Sequence, residues 1–267
     1  MSVEIRAIEL TGRQLEALPS DERVFFVQMA HLVNTIMILQ KWLIFCQLRA
    51  PSQKIESEAA TTQQMLVTRL LSGVLYEGWR VVQDSYFKAL LSKKYDAKLT
   101  DDGKKCLIIL KKYFGHANSI QKVRNKCAFH FDKDIVMAEL GHVEQDKPFH
   151  LYLSELQGNS LYYLSEELVG LALLRSVQGD TPEGEIVEVL RQLFDELVRI
   201  CKAFAGFIGA CLVLVVRENL PSIKWDHLTP ISVSDAPPLD EVRIPFFVSK
   251  PNVAAERVRK PGRSRIP

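Results

Sequence analysis

The chain has 267 residues, an apolar fraction of 47% and a formal net charge of +2. These values are ordinary for one large globular domain, or for a domain with an appendage, and they leave room for a sizeable core. Five cysteines are odd in number and form no CxxC pair, which argues against a structural zinc site. The charged N-terminal stretch does not resemble a signal peptide, and we expect a cytoplasmic protein.

The apolar periodicity along the first 220 residues predicts a helical domain. Asp21 or Ser20 caps the first long helix, and Gly73 and Gly78 are candidates for a bend in the second. Asn118 or Ser119 caps a helix that ends before Phe129. The remaining predicted helices, with those two, cover residues 21–49, 54–92, 101–114, 134–140, 165–177 and 185–219.

The last predicted helix contains an unbroken apolar run over 203–216. Its fourteen residues are fewer than the ~20 that are needed to cross the hydrocarbon core of a bilayer. We expect a core helix and no membrane partner, while an interface or a membrane contact stays open as an alternative.

Two segments depart from the helical pattern. Alternation between apolar and polar residues predicts a β-hairpin over 148–164. Eight prolines from Pro221 onward preclude long helices, so residues 221–267 are predicted to form an extended, partly disordered tail. The predicted fold is mainly α, a helical bundle with a small β-hairpin insertion and an extended proline-rich C-terminal tail.

Charge is distributed unevenly along the chain. Residues 88–126 contain eleven Lys or Arg and three Asp, a net charge of +8, whereas residues 127–200 contain fourteen acidic and five basic residues, a net charge of −9. Such asymmetry is typical of a nucleic-acid contact face, although a solvated helix face gives the same pattern. The lysines predicted to contact RNA are Lys104, Lys105, Lys111, Lys112, Lys122 and Lys126.

The basic segment ends in a short motif in which Arg124 is followed directly by Asn125 and, six positions later, by His130. Arginine binds phosphate through a planar fork, and histidine exchanges protons near neutral pH. This Arg-x(4–6)-His pattern resembles that of HEPN domains, helical bundles of which many are ribonucleases. The resemblance covers the motif and the helical pattern of residues 20–200, and it implies metal-independent RNA cleavage to a 2′,3′-cyclic phosphate without a cofactor.

Geometry restricts how this motif can work. On a continuous α-helix, residues six apart lie about 120° apart around the axis and about 9 Å along it, so Arg124 and His130 would not converge. Asp132 resembles the N-cap of the next helix, so we expect the chain to leave helical geometry between Ala128 and Phe131. His130 would then lie on a turn beside Arg124, and Asn125 could orient the histidine or contact the phosphate.

The expected function is an endoribonuclease. The resemblance implies the effector of a toxin or phage-defence system, which would have a neutralising protein partner. The resembled family implies a homodimer in which two motifs face each other. The alternative is a non-catalytic helical module that binds nucleotides or proteins. No Gly-rich phosphate loop, GxSxG or His-Glu-x-x-His motif is found, and the remaining histidines lack metal-ligand spacing.

Overall fold

The computed structural model describes residues 2–46, 53–128, 133–143, 145–178, 186–223, 225 and 228–250. Two short strands and nine α-helices form in this part of the chain. They are β1 (Val3–Arg6), α1 (Gly12–Glu16), α2 (Ser20–Phe45), α3 (Lys54–Val82), α4 (Leu91–Tyr95), α5 (Asp101–Phe114), α6 (Ser119–Val123), α7 (Lys133–Gly141), α8 (Tyr163–Gln178), α9 (Ile186–Asn219) and β2 (Pro230–Val233). The mainly helical bundle predicted from the sequence is confirmed.

The long helix α9 organises the core by packing against α5 and α2, and α2 also packs against α3. Small residues allow α5 and α9 to approach closely: a Cβ on Gly206 would lie 2.6 Å from the Sγ atom of Cys106, and one on Gly103 would lie 2.8 Å from the Cβ of Ala210. Phe204, the first phenylalanine of the apolar run, is fully buried, and the centre of its ring lies 6.0 Å from that of Phe114 in α5.

The apolar run 203–216 contributes mainly to the core, since its buried members are Ala203, Phe204, Phe207, Ile208, Cys211, Val215 and Val216. By length and composition alone, the segments Ser20–Phe45 and Glu188–Asn219 could each cross a membrane. Core helices of globular proteins pass the same test, and almost half of the apolar window in α9 is buried inside the bundle.

Gly73 and Gly78, the candidates for a bend in the second helix, do not interrupt α3. The helix continues through Gly73 and Gly78, which are both buried, and Gly78 permits close packing against Leu32 of α2. The regular helix ends at a π-helical segment, Gln83–Lys88, and Leu90 then adopts a left-handed conformation with φ of 62°. The interruption therefore begins ten residues after Gly73 and five residues after Gly78.

The two-stranded sheet pairs the ends of the described chain: β1 and β2 are antiparallel, with Val3 opposite Val233. Over 148–164, Tyr152 and Leu161 exchange both backbone hydrogen bonds at 2.8 Å, so the hairpin predicted there consists of one antiparallel residue pair. The C-terminal segment contains no α-helix over 228–250, and the predicted disorder further on falls on residues outside the described ranges.

A buried carboxylate joins three helices near one end of the bundle. Glu22 of α2 is 3% exposed and accepts hydrogen bonds from Lys94 and Tyr95 of α4 and from Asn219 of α9. Burial alone would raise the pKa of Glu22, but the three hydrogen bonds outweigh it and the pKa is lowered. The carboxylate is therefore held in its charged form.

Candidate functional site

The segment that carries Arg124 is anchored in the core immediately before it. The side chain of Asn118 caps α6 by accepting a hydrogen bond from the backbone N–H of Gln121, as the sequence predicted. Ile120 and Val123 are fully buried. The chain then continues as a π-helical turn, Arg124–Ala128, which packs against α3 and α8. Single π-helical turns are rare and occur frequently at functional sites.

Arg124 is held in place by α3. Its Nε and Nη2 atoms donate to Oε1 of Glu77 at 3.0 and 2.6 Å, and its guanidinium lies 5.4 Å from the centre of the Tyr76 ring. The other oxygen of Glu77 accepts from Arg80 at 3.3 Å. One carboxylate thus lies between two guanidinium groups, and the Arg80–Glu77–Arg124 cluster carries a net charge of +1.

The ion pair leaves part of the guanidinium of Arg124 available. Arginine has five N–H donors, of which Glu77 takes two and the Oδ1 atom of Asn125 takes one at 3.2 Å. Two N–H groups therefore have no partner among the described residues. The side chain of Arg124 is 31% exposed, so part of it remains in contact with solvent while Glu77 is bound.

Arg124 and Asn125 are therefore brought together, with Asn125 directly contacting the arginine that it follows in the sequence. His130 and Asp132, together with the turn expected between Ala128 and Phe131, lie outside the described residues. The approach of His130 to Arg124 stays a prediction.

The four predicted RNA-contacting lysines of α5 lie in two rows. Lys104 and Lys111 lie about 20° apart around α5, and Lys105 and Lys112 form a second row about 100° away. One lysine of each row forms an ion pair. The Nζ atom of Lys105 lies 3.5 Å from Oδ1 of Asp102, and that of Lys111 lies 3.7 Å from Oδ2 of Asp96.

The two lysines nearest the motif differ in their contacts. Lys122 donates to the backbone carbonyl of Val177 at 2.7 Å, which ties α6 to α8. Lys126 is exposed and makes no ion pair with a described residue. Of these two, Lys126 is therefore the cation that is more readily available to a ligand near Arg124.

Comparison with family models, curated proteins and solved structures gives no match. Within the described residues, no group of three or more His, Cys, Asp or Glu side chains is arranged to hold a metal ion. Tyr76 and Glu77 were not predicted from the sequence, because they lie almost fifty positions before Arg124 and no local pattern links them to it.

Proposed function

We propose that the chain is a metal-independent endoribonuclease of HEPN type, with Arg124 as the phosphate-binding residue, Asn125 beside it and His130 as the proton-transfer residue. The observation that supports this proposal best is the fixed orientation of Arg124, whose guanidinium keeps two N–H donors without a partner among the described residues. The net positive charge over residues 88–126 gives further support.

The chemistry follows from these groups. Neutral His130 takes the proton of a ribose 2′-hydroxyl, and the 2′-oxygen then attacks the adjacent phosphorus atom. The bond from phosphorus to the 5′-oxygen breaks, and a protonated histidine gives the leaving oxygen its proton. Arg124 donates to the non-bridging oxygens as negative charge builds up on them. The products are a 2′,3′-cyclic phosphate and a 5′-hydroxyl.

Incubation of the purified chain with total RNA and tRNA in EDTA tests the proposal. His130→Ala should lower cleavage by about 10²–10⁴-fold. Arg124→Lys keeps the charge but loses the planar fork, so it should lose nearly as much activity as Arg124→Ala. Circular dichroism confirms that each variant is folded. Wild-type cleavage by folded His130→Ala, or by Arg124→Lys, would contradict the assigned roles.

A homodimer is part of the same proposal, because one arginine and one histidine per chain provide a single proton-transfer group. Half of the residues in the apolar run 203–216 are buried within the bundle, and no large apolar side chain of the run is fully exposed. Helix α2 instead exposes apolar side chains along one side, with Val27 at 56%, Ile38 at 50% and Trp42 at 45%. This face is the better candidate for the contact between two copies.

Mixing two inactive variants tests the shared site. If each site takes its arginine and histidine from opposite chains, a mixture of His130→Ala and Arg124→Ala chains regains part of the activity once subunits exchange. A monomer that stays active at high dilution would contradict a shared site.

The alternative is a non-catalytic binding module, and the ion pair between Glu77 and Arg124 is the observation that favours it. In that case Arg124 only joins α6 to α3. RNA binding without cleavage, unaffected by Arg124→Lys, would support this alternative.

A further inference from the structure

A second basic site lies at the other end of α6. A cavity of about 450 Å³ opens between the end of α5, the turn at Asn118 and the middle of α9. This volume falls within the usual range of small-molecule sites. The side chains that give the cavity its chemistry are Lys112, Tyr113, His116, Glu196 and Arg199.

Two of these side chains are cations without an acidic partner. Lys112 and Arg199 are exposed, and neither forms an ion pair or a side-chain hydrogen bond with a described residue. The one carboxylate in the lining, Glu196, accepts a hydrogen bond from the hydroxyl of Tyr113 at 2.7 Å. The lining therefore has a net charge of +1 when His116 is neutral and +2 when it is protonated.

The arginine of the cavity is already positioned. The guanidinium of Arg199 lies 5.6 Å from the centre of the Tyr113 ring. The hydroxyl of Tyr113 donates to Glu196 and accepts from the backbone N–H of Ile120 at 3.4 Å. The ring also makes an edge contact with Phe114, with the two ring centres 5.1 Å apart. These contacts fix the ring of Tyr113. Burial, and then the bond to Glu196, raises the pKa of Tyr113, so the hydroxyl stays protonated and keeps this bond.

From these observations we infer that the cavity binds the phosphate group of a nucleotide through Arg199, Lys112 and His116. A planar guanidinium and an ammonium that line one cavity are suitable donors for phosphate oxygens. The phosphate can belong to a strand of RNA or to a free nucleotide, and the chemistry of recognition is the same in both cases.

The position of the cavity favours a strand, an interpretation that rests on the proposed ribonuclease function. Ser119 lines the cavity, and Arg124 follows it five residues later, about 7.5 Å along the helix axis and about 140° around it. A strand that contacts both the cavity and Arg124 would therefore pass around α6. A phosphate in the cavity would hold the strand beside the phosphodiester bound by Arg124.

Binding is measured in full-length His130→Ala, so that cleavage does not interfere. The probes are AMP and a ten-nucleotide oligoadenylate with a 5′-hydroxyl end, studied by calorimetry and fluorescence anisotropy at low salt. Arg199→Ala and Lys112→Ala should each weaken binding at least tenfold. The matched control is Lys202→Ala, which removes an exposed cation from the same helix, outside the cavity, and should change the affinity less than twofold.

If Arg199→Ala and Lys112→Ala weaken only the binding of oligoadenylate, the cavity is a subsite for a strand. If they weaken the binding of AMP, it is a site for a nucleotide. Both results support the inference. Equal effects of Arg199→Ala and Lys202→Ala in folded proteins, or no binding of either probe, would overturn it. The cleavage assay is scored separately with Arg124→Lys in a chain that retains His130. Binding that depends on Arg199, in a protein without RNA cleavage, would contradict the proposed function and leave the phosphate site standing.

Discussion

Replacing the buried Glu22 by Gln should destabilise the fold strongly and in a pH-dependent way. The carboxylate is 3% exposed and joins α2 to Lys94, Tyr95 and Asn219. Breaking a buried charged pair costs about 3–5 kcal/mol. The cost is reduced here, because the side chain of Lys94 is 40% exposed and regains water, and because Gln keeps one acceptor oxygen. We expect a loss of about 2–3 kcal/mol at pH 7, which lowers the melting temperature by about 5–10 °C.

The sign of the pH dependence follows from the lowered pKa of Glu22 in the folded protein. The stability that the charged group contributes is fully present above its ordinary pKa of 4.5 and is lost as the pH falls toward the folded value. The difference between the wild-type protein and Glu22→Gln should therefore be constant from pH 7 to about pH 5.5 and shrink below pH 4.5. Urea unfolding followed by circular dichroism at pH 7, 5.5 and 3.5 measures it.

Glu188→Gln is the matched control. Hydrogen bonds from Arg191 and then Gln192 lower the pKa of Glu188 to about 2, but the group is exposed on the surface of α9 and its ion pair is screened by water. We expect no measurable change in its unfolding midpoint at pH 7. If Glu22→Gln were as harmless as this control, or if its effect stayed constant down to pH 3.5, the Glu22 carboxylate would not stabilise the fold through its charge.

Three further changes test the site and the core. Glu77→Gln weakens the ion pair that orients Arg124, so the cleavage rate at saturating RNA should fall roughly tenfold while KM stays the same or decreases. An unchanged rate would show that this ion pair serves folding alone. Gly206→Ala should lower the melting temperature, because the new Cβ would lie 2.6 Å from the Sγ of Cys106. In a Cys106→Ala background, Gly206→Ala should raise the melting temperature, because Ala favours helix by ~1 kcal/mol over Gly. If Gly206→Ala shifted the melting temperature in the same direction in both backgrounds, the contact with the Sγ of Cys106 would not be the cause. Reversing Lys111 and Lys112 to Glu should weaken RNA binding more at low salt than at high salt, and an unchanged salt slope would exclude both from the binding face.

The sequence predicted the elements whose signals are local. Helix α5 was predicted with the observed bounds, since its amphipathic pattern ends at a glycine. The predicted start of α9 falls one residue before Ile186, and its predicted end coincides with Asn219. The pairing of β1 with β2 was not predicted, because it joins residues more than two hundred positions apart. The π-helical turns also escaped prediction, since an apolar period of 3.6 does not distinguish them from α-helix.

In the candidate site, too, the residues with a local sequence signal were predicted and those brought close by packing were not. Arg124 and Asn125 were identified as neighbouring residues of one sequence motif, and the structure shows the hydrogen bond between their side chains. Glu77, which orients Arg124, and Arg199, which completes the basic cavity, come from other helices and are brought close only by packing. A motif can therefore indicate which side chain acts, while the groups that fix its orientation depend on tertiary contacts.

Arg80 provides a test that separates charge from orientation. It shares Glu77 with Arg124, and its side chain is 58% exposed. Arg80→Met removes one positive charge from the Arg80–Glu77–Arg124 cluster and leaves Glu77 free to use both oxygens on Arg124. RNA binding should weaken and its salt slope should become shallower by about one, while the cleavage rate at saturating RNA is retained. This pattern is the opposite of that expected for Glu77→Gln. If Arg80→Met instead lowered the saturating rate as much as Glu77→Gln, the orientation of Arg124 would depend on the whole cluster, and a positioning role specific to Glu77 would be wrong.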